Sequence, residues 1–151
     1  MVGKKAGKEE VILSLLEKKT ENYIALRIPG KDADSVLKAM QLLKQTFVDR
    51  FSQVFKTITV DNGPEFSGFA QIENWGSQIY FAHPHTSWER PQNEHHNGLF
   101  CAFVPKGASI EDYSAEYILV ADELNGRPRR KLGYQPPEDL FERILDSVYA
   151  A

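Results

Sequence analysis

The run VILSLLE, from Val11 to Glu17, is apolar at nearly every position, and this constrains the fold more than any other stretch. Successive side chains of a strand point to opposite faces, so a run apolar on both suits a strand buried on both. YIALRI, Tyr23 to Ile28, follows after the polar KKTEN, and the two runs read as a hairpin. Such a sheet must be covered by something.

The covering elements are legible downstream. From Asp32 to Phe51 the period changes, with Val36, Met40, Leu43, Phe47 and Phe51 recurring at helical spacing and Asp32 or Asp34 available as the N-cap. TITV then predicts a strand ending at Asp61, followed by a short helix, Ser67 to Asn74, on which Phe69 and Ile72 share a face with Trp75. Gly76 closes that helix, and QIYFA, Gln78 to Ala82, makes another strand. The short helix is the crossover of a parallel pair, with the strand ending at Asp61 central in the sheet. Beyond it, Asn93 to Phe103, Ser114 to Leu124 (Tyr117, Ile118, Ala121 and Leu124 on one face) and Pro137 to Val148 (Leu140, Phe141, Ile144 and Leu145 inward) read as helices. This order predicts an α/β layered domain: a mixed sheet flanked by helices.

Composition narrows the class. With 151 residues and 42% hydrophobic content, the chain is of single-domain size and can bury a core. A net charge of −3 argues against a protein coated in basic charge, although RPRRK gathers Arg127, Arg129, Arg130 and Lys131. The single cysteine, Cys101, excludes an intramolecular disulfide and fits a reducing, cytoplasmic setting. No apolar run reaches membrane-spanning length and the first residues lack a signal-peptide pattern. Lys4, Lys5 and Lys8 with Gly3 and Gly7 form a turn-like stretch; a hairpin loop with no strand before it reads as a chain that begins late.

Ligands of open α/β sheets gather at the carboxyl ends of strands, and Asp61 is expected there. Its bland reading is a turn residue of Asp61-Asn62-Gly63. Glu94 lies 33 positions downstream at the start of a predicted helix, where its bland reading is an exposed carboxylate favoured by the helix dipole. Two carboxylates on different elements can converge on a divalent ion that prefers oxygen ligands. His83, His85, His95 and His96 match no compact zinc spacing, and Cys101 has no partner cysteine. Trp88 reads as a hydrophobic plug or a stacking platform for a base. Cys101, on an apolar helix segment, reads as a small buried hydrophobe.

TVDNGPEF, then YFAHPHTSWERPQNEHHNGLF, VPKG and LNGRPRRKLGYQPPEDLF, together resemble the catalytic core of insertion-sequence transposases of the IS-thirty type. These belong to the retroviral-integrase superfamily, with a ribonuclease-H-like fold. The resemblance covers residues 1–151 as one core domain and is densest from Thr57 to Phe141. It implies phosphoryl transfer on DNA, both transposon ends and target, by two aspartates and a glutamate holding two Mg²⁺ ions about 3.5–4 Å apart, with Mn²⁺ as a substitute. Asp61 matches the second aspartate and Glu94 the glutamate, with Asn62 and Asn93 orienting them. Arg127, Arg129, Arg130, Lys131 and Trp88 are then expected to meet DNA.

Two departures matter. The family's first aspartate precedes a turn that aligns with Gly3, and no aspartate stands before Gly3; the first strand reads as truncated. The chain alone is therefore expected to be inactive and to bind Mg²⁺ weakly. Many members also carry a basic residue where Cys101 stands, so that DNA contact does not carry over. A cytoplasmic, nucleoid-associated protein that forms a homodimer is expected, with His83 to Gln92 as its least ordered internal stretch. The competing class is a DNA-binding or oligomerising module of the same fold without catalysis.

Overall fold

A computed structural model describes residues 9–83, 91–104 and 116–151. Strands β1 (Val11–Leu16) and β2 (Tyr23–Ile28) form an antiparallel hairpin, with Val11 opposite Ile28 and Leu16 opposite Tyr23. Its turn is organised by Glu17, whose carboxylate accepts from the Lys19 and Thr20 amides and from the Thr20 hydroxyl. The apolar run is buried on both faces, as expected. Leu13 and Leu15 join one core cluster, whereas Ile12 and Leu16 join another.

Helix α1 (Ala33–Phe47) starts at Asp32, which caps it by accepting from the Ser35 amide at 2.9 Å and the Ser35 hydroxyl at 2.7 Å. The Ser35 hydroxyl and then its amide hold the Asp32 carboxyl below the usual range. Val36, Ala39, Met40, Leu43 and Phe47 make its buried stripe. The sequence predicts one helix to Phe51, but the chain breaks at Val48, which has φ +46°. A 3₁₀ turn (Val48–Arg50) and a single-turn α2 (Phe51–Val54) follow, because Phe47, Phe51 and Phe55 pack into one aromatic cluster. A straight helix could not bring all three rings together.

Strand β3 (Thr57–Val60) pairs in parallel with β4 (Gln78–Phe81), Thr57 opposite Gln78. The connection is a 3₁₀ helix, Pro64–Trp75, longer and tighter than the helix read from Ser67 to Asn74. Its apolar residues explain the tightness. Phe66, Phe69, Ile72 and Trp75 recur every third position, the period of a 3₁₀ helix, and all pack on the core. Gly76 ends it at φ +94°, where a Cβ would meet Ser52 at about 3.0 Å. Gly76→Ala is expected to destabilise the protein by about 1–2 kcal/mol, read from urea unfolding.

Helices α3 (Pro91–Phe103) and α4 (Glu116–Gly126) cover one side of the hairpin with Phe100, Val104, Val120, Ala121 and Leu124. Helix α5 (Pro137–Tyr149) joins α1 on the other side through Phe141 and Leu145. Helices thus lie on both sides, in three layers. Among the described residues the four strands form two pairs, β1–β2 and β3–β4, rather than one continuous sheet with β3 at its centre. Of the stretch His83 to Gln92, residues 84–90 lie outside the described residues, as does Ser114. Among the described residues no helix is long and apolar enough to cross a membrane.

Candidate active site at the carboxyl end of β3

Asp61 directly follows β3, whose Ile58 and Val60 are buried in the core beneath it. The strand's alternation therefore fixes where the carboxylate leaves the sheet, and it is exposed. Gly63 has an ordinary extended backbone, φ −102°, so no left-handed turn is needed here. What it provides is room, because a Cβ would collide with the Glu65 carboxylate, which pairs with Lys31 at 3.2 Å.

Opposite Asp61 stands the first turn of α3. Asp61, Gln92 and Asn93 line one cavity of about 600 Å³. Asn93 Oδ1 is buried there with no hydrogen-bond partner among the described residues. Glu94 is the next residue, exposed in the same first turn but not part of the lining. The structure thus brings Asp61 and Asn93 to one space, and Glu94 follows Asn93 in the chain without lining it. Asn62 is exposed beside Asp61, and Trp88 lies outside the described residues.

Helix α3 is aimed by a polar network on its inner face. Asn97 Oδ1 accepts from the Ser14 hydroxyl at 2.9 Å and from the Tyr23 hydroxyl at 2.8 Å. The Tyr23 ring stacks on His96 (6.2 Å between centroids) and packs on Phe100. Burial pushes the Tyr23 phenol up, keeping it a neutral donor. Its main chain is held by Asn125, whose amide accepts from Tyr23 N at 2.7 Å and donates to Tyr23 O at 2.8 Å.

Glu21 ties this network to the basic loop. Held at φ +59° in the β1–β2 turn, its carboxylate accepts from Lys131 at 2.7 Å and from Gln92 at 3.3 Å, and lies 3.7 Å from Arg129. Burial alone would raise its carboxyl, but the Lys131 hydrogen bond and charge, with His96 and Arg129, hold it below the usual range. Arg129 also donates to the Leu124 carbonyl at 2.9 Å. Arg127 pairs with Glu123 and lies over the Phe103 ring, and Arg130 is exposed. Of the four basic residues singled out by sequence, Arg129 and Lys131 therefore pair with Glu21, Arg129 mostly buried and Lys131 still exposed. Cys101 is half-buried against the α3–α4 core.

Burial pushes the His96 imidazole below its ordinary value, against the opposing hydrogen bond to the Gln92 carbonyl at 2.7 Å. A histidine depressed in the folded state contributes stability that is complete above its unfolded value of about 6.5. That contribution falls as the unfolded chain takes up the proton at lower pH. The urea midpoint is therefore expected to drop between pH 7 and 5, and His96→Phe should remove part of that drop.

Among the described residues, no group of three or more His, Cys, Asp or Glu stands close enough to hold a metal ion. The donors at the site are two exposed carboxylates and one orphaned amide oxygen, a hard oxygen set that suits Mg²⁺ retaining several waters but is short of a two-metal cage. Sequence reading missed Glu21, Tyr23, His96, Asn97 and Asn125 as a network. Asn125 lies in the last turn of α4, and its bond to Tyr23 spans 102 positions.

No family model matches the chain. It is 36% identical over 143 residues to a probable transposase for insertion-like sequence element IS1161 of Streptococcus salivarius, covering 94% of this chain and 40% of that protein. It is 35% identical over 138 residues to the transposase InsI for insertion sequence element IS30C of Escherichia coli K12, covering 90% and 35%. With the transposase for IS4351 of Bacteroides fragilis the identity is 33%, covering 89% and 41%. The chain thus spans roughly two-fifths of the length of these relatives. Among solved structures it superposes on the catalytic core domain of BIV integrase with a TM-score of 0.61 at 17% identity, covering 95% of this chain and 99% of that one. The fold is ribonuclease-H-like.

Proposed function

We propose that this chain, a relative of the IS30-type transposases with an integrase-like fold, is a catalytic core that cleaves and joins DNA strands at Asp61 and Glu94. The observation that supports the reading is that Asp61, at β3's end, and Asn93, in α3's first turn and next to Glu94 in the chain, line one cavity. Residues 1–151 act as one such domain.

Asp61 and Glu94 would hold a divalent ion, Mg²⁺ or Mn²⁺, through hard oxygen atoms that take no covalent part in the reaction. When bound, the metal supplies Lewis-acid activation of the attacking hydroxyl and of the phosphodiester. Asn93, through its orphaned Oδ1, and Asn62 orient these ligands and the water between them. With two carboxylates rather than three, the chain would bind Mg²⁺ weakly. Arg127 and Arg130, with Trp88, contact transposon-end or target DNA, whereas Arg129 and Lys131 first shape the loop through Glu21. Work on DNA puts the protein at the nucleoid, in the cytoplasm. Exposed Leu42, Val48, Tyr80 and Phe81 provide apolar surface for a homodimer, which light scattering would reveal.

Mn²⁺ titration followed by NMR, alongside plasmid nicking, tests the reading. Mn²⁺ should broaden amide signals around Asp61 and in the first turn of α3, and Asp61→Asn or Glu94→Gln should each weaken that broadening at least tenfold. Any metal-dependent nicking should fall with it. Broadening elsewhere, or nicking untouched by Asp61→Asn, refutes the assignment. DNA binding with no metal response at these residues supports the non-catalytic module instead.

A further inference from the structure

Three donors converge on one carboxylate at the hairpin turn. Glu21 Oε1 accepts from Lys131 at 2.7 Å and from the Gln92 side chain at 3.3 Å, and Oε2 lies 3.7 Å from Arg129. Donors grouped around a negative charge in this way make an anion site, and here the anion belongs to the protein itself. The turn does not ask for glutamate. At φ +59° glycine or asparagine fits with less strain, so the contacts of the carboxylate, not the backbone, account for a glutamate here.

The two basic partners are not equally committed. The Arg129 side chain is 16% exposed and also donates to the Leu124 carbonyl, so it is fixed from two sides. The Lys131 side chain is 63% exposed on a flexible stem, and its ammonium can turn outward by side-chain rotation alone. The main chain around it is tied down. The Arg129 carbonyl accepts from the Leu132 and Tyr134 amides, each at 2.9 Å, and the Arg130 carbonyl accepts from Gly133 at 3.1 Å. If Lys131 turns away, Arg129 and Gln92 remain around Glu21, so no buried charge is left without a partner.

We propose that Glu21 is an internal competitor for the DNA backbone: it holds Lys131 until a phosphate takes the ammonium over, and so weakens the hold of the basic loop on DNA. Arg130, exposed and next in the chain, gives that phosphate a neighbouring contact. With a net charge of −3 the chain as a whole repels DNA, so one cation withheld from a local patch matters. The inference rests on the reading of this loop as a DNA contact and adds what limits that contact. A purely structural clamp predicts the opposite, since losing the Glu21 charge would loosen the loop and weaken binding. The sign of the effect separates the two.

Fluorescence anisotropy with a labelled mixed-sequence duplex of about 20 base pairs, at several salt concentrations, reads that sign. Glu21→Gln drops the charge and keeps a hydrogen-bonding side chain. It should tighten binding about three- to tenfold and steepen the salt dependence by about one phosphate contact. In a Lys131→Gln background the same substitution should change nothing, because the cation it releases is missing. Equal tightening with and without Lys131 would make the effect one of net charge and overturns the proposal. Arg130→Gln tests the underlying reading. If it weakens binding while Glu21→Gln fails to tighten it, the competitor is overturned and the DNA contact stands. If wild type, Arg130→Gln and Glu21→Gln all bind alike, the loop is no DNA contact and both readings fall. Should Glu21→Gln fail to fold, the carboxyl carbon signal of Glu21 in the wild-type chain serves instead. It should shift when duplex is added while that of Glu17, bound within the same turn, stays in place; no shift overturns the proposal.

Discussion

Asn125→Ala is expected to cost about 2–4 kcal/mol of stability, although it deletes only a small polar side chain. The Asn125 amide meets both the N–H and the C=O of Tyr23, and all of these groups are buried. Alanine leaves a donor and an acceptor with neither protein nor water, at about 1–3 kcal/mol for each buried group. The damage should also travel. Tyr23 stacks on His96 and donates to Asn97, so a loosened Tyr23 frees the inner face of α3, the helix that carries Glu94. Urea unfolding gives the total, and amide exchange in α3 should rise more than in α5. Asn125→Asp keeps the acceptor and loses the donor, so its cost should be intermediate. A loss below about 0.5 kcal/mol for Asn125→Ala would mean that water replaces the amide.

How the sequence announced these features depended on the range of the interaction. The double-sided burial of β1 was legible because both of its faces are written into seven adjacent residues. Asp61 was legible because a strand's end is a local event, and the parallel partner and crossover followed from spacing. The break at Val48 was not, since helical spacing continues to Phe51 and only the packing of Phe55 and Trp75 against it rewards a turn. The 3₁₀ helix was partly legible: Phe66, Phe69, Ile72 and Trp75 stand three apart, yet only Phe69, Ile72 and Trp75 were read, as one helical face. The Glu21 network was invisible, because a turn carboxylate reaching Lys131 crosses 110 positions and nothing local distinguishes it from a solvated charge. The same carboxylate engages two of the four basic residues of the run RPRRK, Arg129 mostly buried and Lys131 still exposed.

Phe51→Ala should be the most costly single truncation in the half of the core that presents Asp61, at about 3–5 kcal/mol. The ring is 1% exposed and lies 5.0 Å from Phe55 and 5.6 Å from Trp75, centroid to centroid. Phe55 stands two residues before β3, and Trp75 three residues before β4. One ring therefore fixes the entry of both parallel strands, and through them the register that leaves Asp61 at the strand's end. Removing it opens a cavity that cannot easily collapse, because Gly76 already lies against Ser52 on the neighbouring position. A domain of this size should lose roughly 2–4 °C in Tm for each kcal/mol, so a fall of about 10 °C is expected by calorimetry. Phe51→Leu, which keeps most of the volume, should recover more than half of it. Amides of β3 and β4 should lose protection before those of β1 and β2. Equal loss in both pairs would mean that the two halves unfold as one.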